Sequence, residues 1–364
     1  MKIGYVVGQF PLLSETFILR EMLALQSEGV NIRVFSLQGP PTGKAHLQTG
    51  NLREAVVYGS SLGIRANLAA QCYWLRRRPV CYFRLLAAGL LRMVKSPRSG
   101  WRFLRRFPLA ATFAHMAVSQ RLDHIHAHFA FLPADVARVM AGLLGVRFSV
   151  SVHAWDVFAQ SSRVIESTLR QACAVVTCFD GARKHLLAGM PILTEKDVVT
   201  IHHGLFLSSE EGIAIREDLV LAVGRLEAKK GFDVLLRACA ILAREGVRFR
   251  CLVAGEGRLK DQLCSDARAQ NLERFVEFPG PLTQEELAPL YQRARVLALP
   301  SVQTADGDRD GIPNVILEAW AAGVPVVTTT ASGASEVVMD GENGFLVSPG
   351  DAPALADRLK RLLD

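Results

Sequence analysis

Asp306-Gly-Asp-Arg-Asp-Gly-Ile-Pro-Asn-Val-Ile-Leu-Glu-Ala-Trp-Ala-Ala-Gly-Val-Pro325 is the stretch whose reading decides the rest of the chain. An acidic, glycine-containing loop runs straight into an apolar helix. Pro313 stands where the first turn of a helix accepts proline, because an N–H there would have no intrahelical partner. The helical pattern continues over 314–322, and Gly323 and Pro325 stop it. Residues 324–328 then read as a buried strand. This order aims the N–H groups of 314–316, and the positive end of the helix dipole, at the loop, which makes an anion site. Asp310 stands just before the helix and Glu318 eight residues on, inside it. Glu318 is a charge in an otherwise apolar helix and needs a partner if it is buried. Spacing alone fits equally well an acidic loop followed by one charge on an exposed face.

Upstream, the same strand–loop–helix unit recurs. A strand at 219–223 leads into Gly224-Arg-Leu-Glu-Ala-Lys-Lys-Gly-Phe-Asp233. Arg225 and Lys230 therefore sit on a glycine-bounded loop, where cations can hold a diphosphate. A strand at 248–254 meets Gly255-Glu-Gly257, a lone G-x-G that carries little by itself. A strand at 276–278 ends at Pro279-Gly-Pro281, a turn able to offer backbone groups to a base. Helix 283–294 and strand 296–300 return to the opening stretch, and a helix over 351–363 closes the chain.

The first half opens in the same way. Residues 3–7 read as a buried strand, followed by the loop Gly8-Gln-Phe-Pro-Leu-Leu-Ser-Glu-Thr16 and a helix that Ser14 can cap. This is the usual start of a parallel α/β sheet, with ligand at the C-terminal ends of the strands. No G-x-G-x-x-G follows the strand, so the dinucleotide fingerprint is absent. In Asp123-His-Ile-His-Ala-His-Phe-Ala130, alternation puts His124, His126 and His128 on one face. No Cys or carboxylate cluster joins them in the sequence, so no metal is expected. A strand at 148–152 delivers His153-Ala-Trp-Asp156 to the binding end of the sheet. Two Rossmann-like β/α/β domains are expected, 1–207 and 208–364, facing across a cleft, with 205–218 as linker.

Half of the 364 residues are apolar and 21% are charged, enough for two cores. No apolar run reaches the roughly 18 residues a membrane span needs, and the N-terminus lacks a signal-peptide pattern. Seven cysteines without a CxxC pair read as reduced thiols of a cytoplasmic protein. The net charge of +7 is local: residues 55–122 hold twelve Lys or Arg and no acid, which leaves 30 basic and 35 acidic residues elsewhere. A nucleic-acid partner is therefore not expected. Over 64–107, Tyr73, Trp74, Tyr82, Phe83, Trp101, Phe103 and Phe107 alternate with arginines and Lys95. That mixture fits helices lying on an anionic membrane; a helical hairpin with a basic outer side is the plainer alternative.

Four pieces, in this order and spacing, carry a resemblance. They are 223–233 as quoted above, Val253-Ala-Gly-Glu-Gly257, Ala298-Leu-Pro-Ser301 and Asp310-Gly-Ile-Pro-Asn-Val-Ile-Leu-Glu-Ala319. Together they resemble the retaining glycosyltransferases of family 4, with the GT-B fold. Phe10-Pro-Leu-Leu-Ser-Glu-Thr-Phe17 looks like the branch that builds bacterial exopolysaccharide units, including colanic-acid-type polymers. The resemblance implies transfer from a UDP- or GDP-sugar to a glycan or lipid-diphosphate-linked glycan. It further implies a peripheral position on the inner face of the plasma membrane, contacted through 64–107. The nucleotide sugar is a substrate, and neither cofactor nor metal is expected; Asp306-Gly-Asp308 is only a weak imitation of an Asp-x-Asp metal motif.

By the same resemblance, Arg225 and Lys230 hold the donor diphosphate as it leaves, and Glu318 accepts from the ribose. Asp310 fills the first acidic position of the E-x7-E motif, where Glu is usual, and holds sugar hydroxyls. His153 sits beside the transferring sugar. Gly311, Asn314, Val315 and Pro281 join the donor site, and Ser14 and Thr16 approach its phosphates. A front-face reaction is implied, in which the departing phosphate takes the acceptor's proton. Family members usually continue with a basic helix crossing back to the first domain, so the end at Asp364 reads as a truncation. Two rivals remain: a nucleotide-sugar 2-epimerase of the same fold, which needs acid/base carboxylates in both halves, and a non-catalytic nucleotide-sugar-binding protein at the membrane.

Overall fold

The computed structural model describes residues 1–42, 46, 49–159, 162–206 and 215–364, apart from the side chains of 51 and 162–164. The chain divides into two compact units between His202 and His203, except that His46 groups with the second. The expected linker lies partly outside the described residues.

The first unit runs β1 (Lys2–Val7), α1 (Thr16–Ser27), β2 (Asn31–Ser36), α2 (Gly50–Arg53), β3 (Val56–Tyr58), α3 (Ile64–Arg77), α4 (Pro79–Lys95) and α5 (Pro97–Ala117). It continues with β4 (His124–His128), α6 (Leu132–Leu144), β5 (Arg147–Val152), α7 (Ala154–Phe158), α8 (Ser162–Leu169), β6 (Val175–Thr177), α9 (Asp180–Gly189) and β7 (Val198–Thr200). Its sheet has the order β3-β2-β1-β4-β5-β6-β7, and every neighbouring pair is parallel. β1 and β5 are buried along all but their first residue, as strands covered by helices on both faces must be.

The second unit comprises β8 (Leu219–Val223), α10 (Phe232–Arg244), β9 (Arg250–Ala254), α11 (Lys260–Ala269), β10 (Val276–Gly280), α12 (Gln284–Arg293), β11 (Val296–Leu299), α13 (Asn314–Ala321), β12 (Val326–Thr329), β13 (Gly344–Val347) and α14 (Ala352–Leu363). Its parallel sheet has the order β10-β9-β8-β11-β12-β13. Amphipathic α10 and α14 cover one face through Leu235, Leu242, Leu355 and Leu359, all fully buried. In both units the strand order reverses beside the first strand, at β1/β4 and at β8/β11. These are the points where a doubly wound sheet leaves a crevice for ligand.

Several expectations need correction. Ser14 does not cap α1: the helix starts at Thr16, with Glu15 at its N-cap and no side-chain cap. The strand expected at 276–278 runs to Gly280 through an irregularity in its pairing with β9. The basic segment forms three helices rather than a hairpin. Prolines 79 and 97 occupy the first turns of α4 and α5, where their missing N–H costs nothing. α4 and α5 touch at Gly100, where a Cβ would lie 2.2 Å from the Met93 Cα. Three of the aromatics read as membrane-facing serve this packing instead. Phe103 and Phe107 are buried, and Trp74 is buried with its indole N–H donating to the Ala111 carbonyl at 2.8 Å. Arg92 also turns inward, to Asp135 at 2.6 Å.

Candidate functional site

In the second unit, two loops meet at the β8/β11 reversal. The loop after β8 carries Arg225 and a 3-10 turn at Ala228–Lys230, closed by Gly231 at φ +64°. Any side chain at 231 would place its Cβ 1.9 Å from the Pro300 carbonyl oxygen, so this tight approach to the end of β11 needs glycine. The Val302 amide donates to the Lys229 carbonyl at 2.9 Å and ties the two loops together. The G-x-G at 255–257 has a supporting role. Leu226 donates to the Glu256 carbonyl at 2.9 Å, and a Cβ on Gly257 would lie 2.5 Å from the Leu226 carbonyl oxygen.

On this frame Lys230 Nζ donates to Asp310 Oδ2 at 2.8 Å, and Ser301 Oγ donates to the same oxygen at 3.1 Å. Lys229, which the motif reading passed over, is buried. Its ammonium pairs with Asp308 at 3.0 Å and lies 3.8 Å from Asp310. Burial would raise the Asp310 carboxyl, but the Lys230 and Lys229 ammoniums outweigh it and hold the carboxyl below its usual range. Asp310 is thus an ionised acceptor, with Oδ1 turned toward Lys229 only at long range. Asp308, the second acid of Asp306-Gly-Asp308, is thus paired with Lys229.

α13 starts at Asn314, with Pro313 at its N-cap and no side-chain cap. The expected trio of open amides shrinks by one: Ile316 N–H donates to the Pro313 carbonyl at 3.0 Å. The amides of Asn314 and Val315 remain to serve an anion, beside the bend at Gly311. The Asn314 side-chain oxygen lies 2.8 Å from His203 Nδ1. Glu318 is buried and has the partners its position demanded: Tyr291 donates to it at 2.8 Å and Gln284 at 3.2 Å. Both come from α12, and nothing in the sequence pointed to them except that α12 precedes the loop. Pro281 follows directly on Gly280, whose carbonyl is taken by the Gly255 amide at 2.9 Å. Arg225 is not drawn into the Lys230–Asp310 pair. Its guanidinium, about half exposed, meets Glu227 at 3.1 Å.

In the first unit, the β1/β4 reversal gathers imidazoles. His153 follows β5 and caps α7, its amide donating to Asp156 Oδ2 at 3.0 Å. The ring packs between Phe17 and Phe129, with centroids 4.8 and 4.6 Å away, and Nε2 lies 3.2 Å from His128 Nδ1. Asp156 is wholly buried, and burial pushes its carboxyl up to about 7 despite two backbone hydrogen bonds. Burial pushes His126 down to about 3, and its two ring nitrogens meet Ser149 at 2.8 Å and Ser151 at 3.0 Å. Glu21, from α1, accepts the Tyr5 hydroxyl at 2.7 Å. The Glu21, His126 and His128 donor atoms lie within 4.8 Å of one another, a set of the type that can hold a divalent cation. Tyr5, Ser149 and Ser151 already occupy part of it. Thr16 is buried at the start of α1, and Ser14 is exposed in the loop before it.

Comparison with known proteins gives the family. The family model for glycosyl transferases group 1 matches residues 217–364, the unit that holds Lys230, Asp310 and Glu318. Over 99% of this chain and 90% of the relative, the sequence is 30% identical to WcaL of Escherichia coli strain K12, a glycosyltransferase named for colanic acid biosynthesis. It is 27% identical to the amylovoran biosynthesis glycosyltransferase AmsK of Erwinia amylovora, over the whole chain and 90% of that protein. Among solved structures, Anabaena Alr3699/HepE in complex with UDP and glucose superposes with a TM-score of 0.69 at 17% identity, covering all of this chain and 90% of the other. That likeness carries the GT-B fold over both units. The chain belongs to the group 1 glycosyltransferases, and it is a glycosyltransferase of the GT-B fold.

Proposed function

We propose that this glycosyltransferase moves a sugar, with retention, from a UDP- or GDP-sugar to a glycan or lipid-diphosphate-linked glycan in exopolysaccharide biosynthesis. The observation that carries this reading is the Lys230–Asp310–Ser301 cluster beside the open α13 amides, at the strand reversal of the second unit. Departure of a nucleoside diphosphate puts negative charge on the leaving oxygen, and fixed donors aimed at it lower the barrier. Lys230 has three N–H donors, so it can keep Asp310 and still grip a phosphate. Arg225 and the amides of Asn314 and Val315 supply the remaining positive field. Asp310, held ionised, accepts from sugar hydroxyls, and Glu318 turns from Tyr291 and Gln284 to the ribose. His153 acts at the transferring sugar, and Pro281, Gly311, Ser14 and Thr16 line the donor's path. The reading gives no role to a resident metal or cofactor. The relatives named for colanic acid and amylovoran, and the UDP held by HepE, support it.

The acceptor side of the proposal rests on α4. Val80, Phe83, Ala87, Leu91 and Val94 are exposed and recur at three- and four-residue steps, an apolar stripe bordered by exposed Arg84 and Lys95. Exposed Trp101 and Arg105 on α5 extend it. Among the described residues no helix is long and apolar enough to cross a membrane. An apolar stripe with a basic border and no acid suits shallow insertion into an anionic leaflet, on the inner face of the plasma membrane, where a lipid-linked acceptor resides. Flotation with phosphatidylglycerol vesicles tests it: binding at low salt is expected, reduced by Phe83→Glu with Leu91→Glu, and no binding at low salt would remove the membrane role.

The reaction is tested by incubating the protein with UDP- and GDP-sugars, with and without a membrane extract supplying acceptor. Sugar transferred only in the presence of acceptor, with the anomeric configuration kept, is the expected result. A changed sugar without acceptor would replace transfer by epimerisation.

A further inference from the structure

We propose that Glu21 and His128 are positioning residues for His153, fixing its tautomer and ring orientation through two imidazoles that end on a carboxylate. The inference rests on the reading of His153 as a group acting at the donor sugar.

The chain of contacts can be followed from either end. His128 is 1% exposed, and its Nε2 is buried without a hydrogen-bond partner. Glu21 Oε1 lies 3.5 Å from it. Burial alone would raise the Glu21 carboxyl, but it is held below its usual range, and its Oε1 already accepts the Tyr5 hydroxyl at 2.7 Å. An ionised carboxylate only accepts, so the nitrogen facing it is the protonated one. In the proposed chain His128 Nδ1 accepts, and the group facing it at 3.2 Å, His153 Nε2, is its donor. That leaves His153 Nδ1 as an acceptor. At the other end the backbone of His153 is fixed at the start of α7: its carbonyl accepts from the Asp156 amide at 2.9 Å and its amide donates to Asp156 Oδ2 at 3.0 Å.

The ring planes are fixed as well. His128 stacks on His153 with centroids 5.4 Å apart and on Tyr5 at 5.7 Å, each pair at an interplanar angle of 20°. The charged and titratable groups facing His128 are Glu21 from α1, Tyr5 from β1, His126 from its own strand and His153 beyond β5. A half-buried carboxylate set against two buried imidazoles is a costly way to fill space, and apolar residues of the same volume are often as stable or more so. What the polar chain adds is a defined tautomer on His153, the service a buried carboxylate gives to a working imidazole elsewhere.

Three variants test this. Glu21→Gln is isosteric and removes only the obligate acceptor. His128→Leu removes the link. His128→Asn returns an oxygen near the Nδ1 position. Long-range 15N spectra of histidine-labelled protein should show His153 as the Nε2–H tautomer in the wild type and a mixture in Glu21→Gln and His128→Leu. kcat for transfer should fall by about 10- to 100-fold in both, with the affinity for UDP or GDP unchanged and activity largely recovered in His128→Asn. His153 found as the Nδ1–H tautomer in the wild type, or kcat and tautomer both unmoved in His128→Leu, would overturn the proposal. The spectra need no substrate, so a protein that shows the tautomer chain yet binds no nucleotide contradicts the donor reading and not this one.

Discussion

The two units build the same parallel topology and fill its reversal point with opposite chemistry. At β8/β11 the groups stand on loops and are charged: Lys229 and Lys230 face Asp308 and Asp310, and pairing prevails over burial to keep Asp310 ionised. At β1/β4 they stand mostly on strands, and the uncharged forms of His126 and Asp156 are favoured. Burial prevails there, moving His126 down to about 3 and Asp156 up to about 7. Glu21 is the exception, kept ionised by its neighbours. A loop can bring full charges together beside solvent and meet an anion with them. A strand end inside the sheet desolvates what it carries and favours uncharged rings held in one tautomer. One fold thus offers an anion grip and a neutral, oriented hydrogen-bonding group from the same structural position.

The contrast can be broken first at Lys230. Lys230→Ala should lower transfer by about 100- to 1,000-fold while the unit stays folded, because Asp310 keeps Ser301 and Lys229 as partners. Steady-state kcat together with a thermal melt checks both halves. A variant within a few-fold of wild type would mean that the charged reversal point is only structural.

Next comes pH. Asp156 is raised from 3.8 to about 7 in the folded chain, so its contribution to stability is complete below about pH 4 and is lost as pH rises to 7. His126 is lowered from 6.5 to about 3, so its contribution is complete above pH 6.5 and is lost as pH falls. Over the shared interval the two slopes oppose each other. Asp156→Asn should remove one of them, so that stability measured by urea unfolding rises with pH between about 4.5 and 6.5 more steeply than in the wild type. Parallel profiles for variant and wild type would contradict the neutral, buried state of Asp156.

The smaller effects lie around Glu318. Glu318→Gln should weaken nucleotide binding about tenfold, the worth of one hydrogen bond to a charged group. Unchanged affinity would confine Glu318 to its bonds with Tyr291 and Gln284. Tyr291→Phe should cost about 1 kcal/mol of stability with little effect on affinity.

Much of this was legible before the structure. Continuous apolar runs and loop chemistry located β1, β8, β11 and α13, and the Lys230-to-Asp310 loops could be placed at strand ends because parallel sheets leave few other positions for them. Side-chain partners were not legible. Nothing local in Lys229-Lys230 distinguishes the lysine that turns inward to Asp308 from the one that meets Asp310. Tyr291 and Gln284 reach Glu318 across more than twenty residues of sequence, and Glu21 reaches His128 across more than a hundred. In the basic segment the orientation of three of the seven aromatics was not legible. Trp74, Phe103 and Phe107 have the spacing of both a membrane face and a helix–helix seam, and only the packing of α3 to α5 decides between them.

The claim on which the rest depends is that Lys230, with the α13 amides, grips a nucleoside diphosphate in the second unit. Calorimetric titration of UDP and of GDP into the wild type and Lys230→Ala tests it directly. One of the two nucleotides should bind the wild type and bind the variant at least about tenfold more weakly, as the loss of a charge-assisted phosphate contact requires. Equal affinity for wild type and variant, or no binding of either nucleotide, would contradict it.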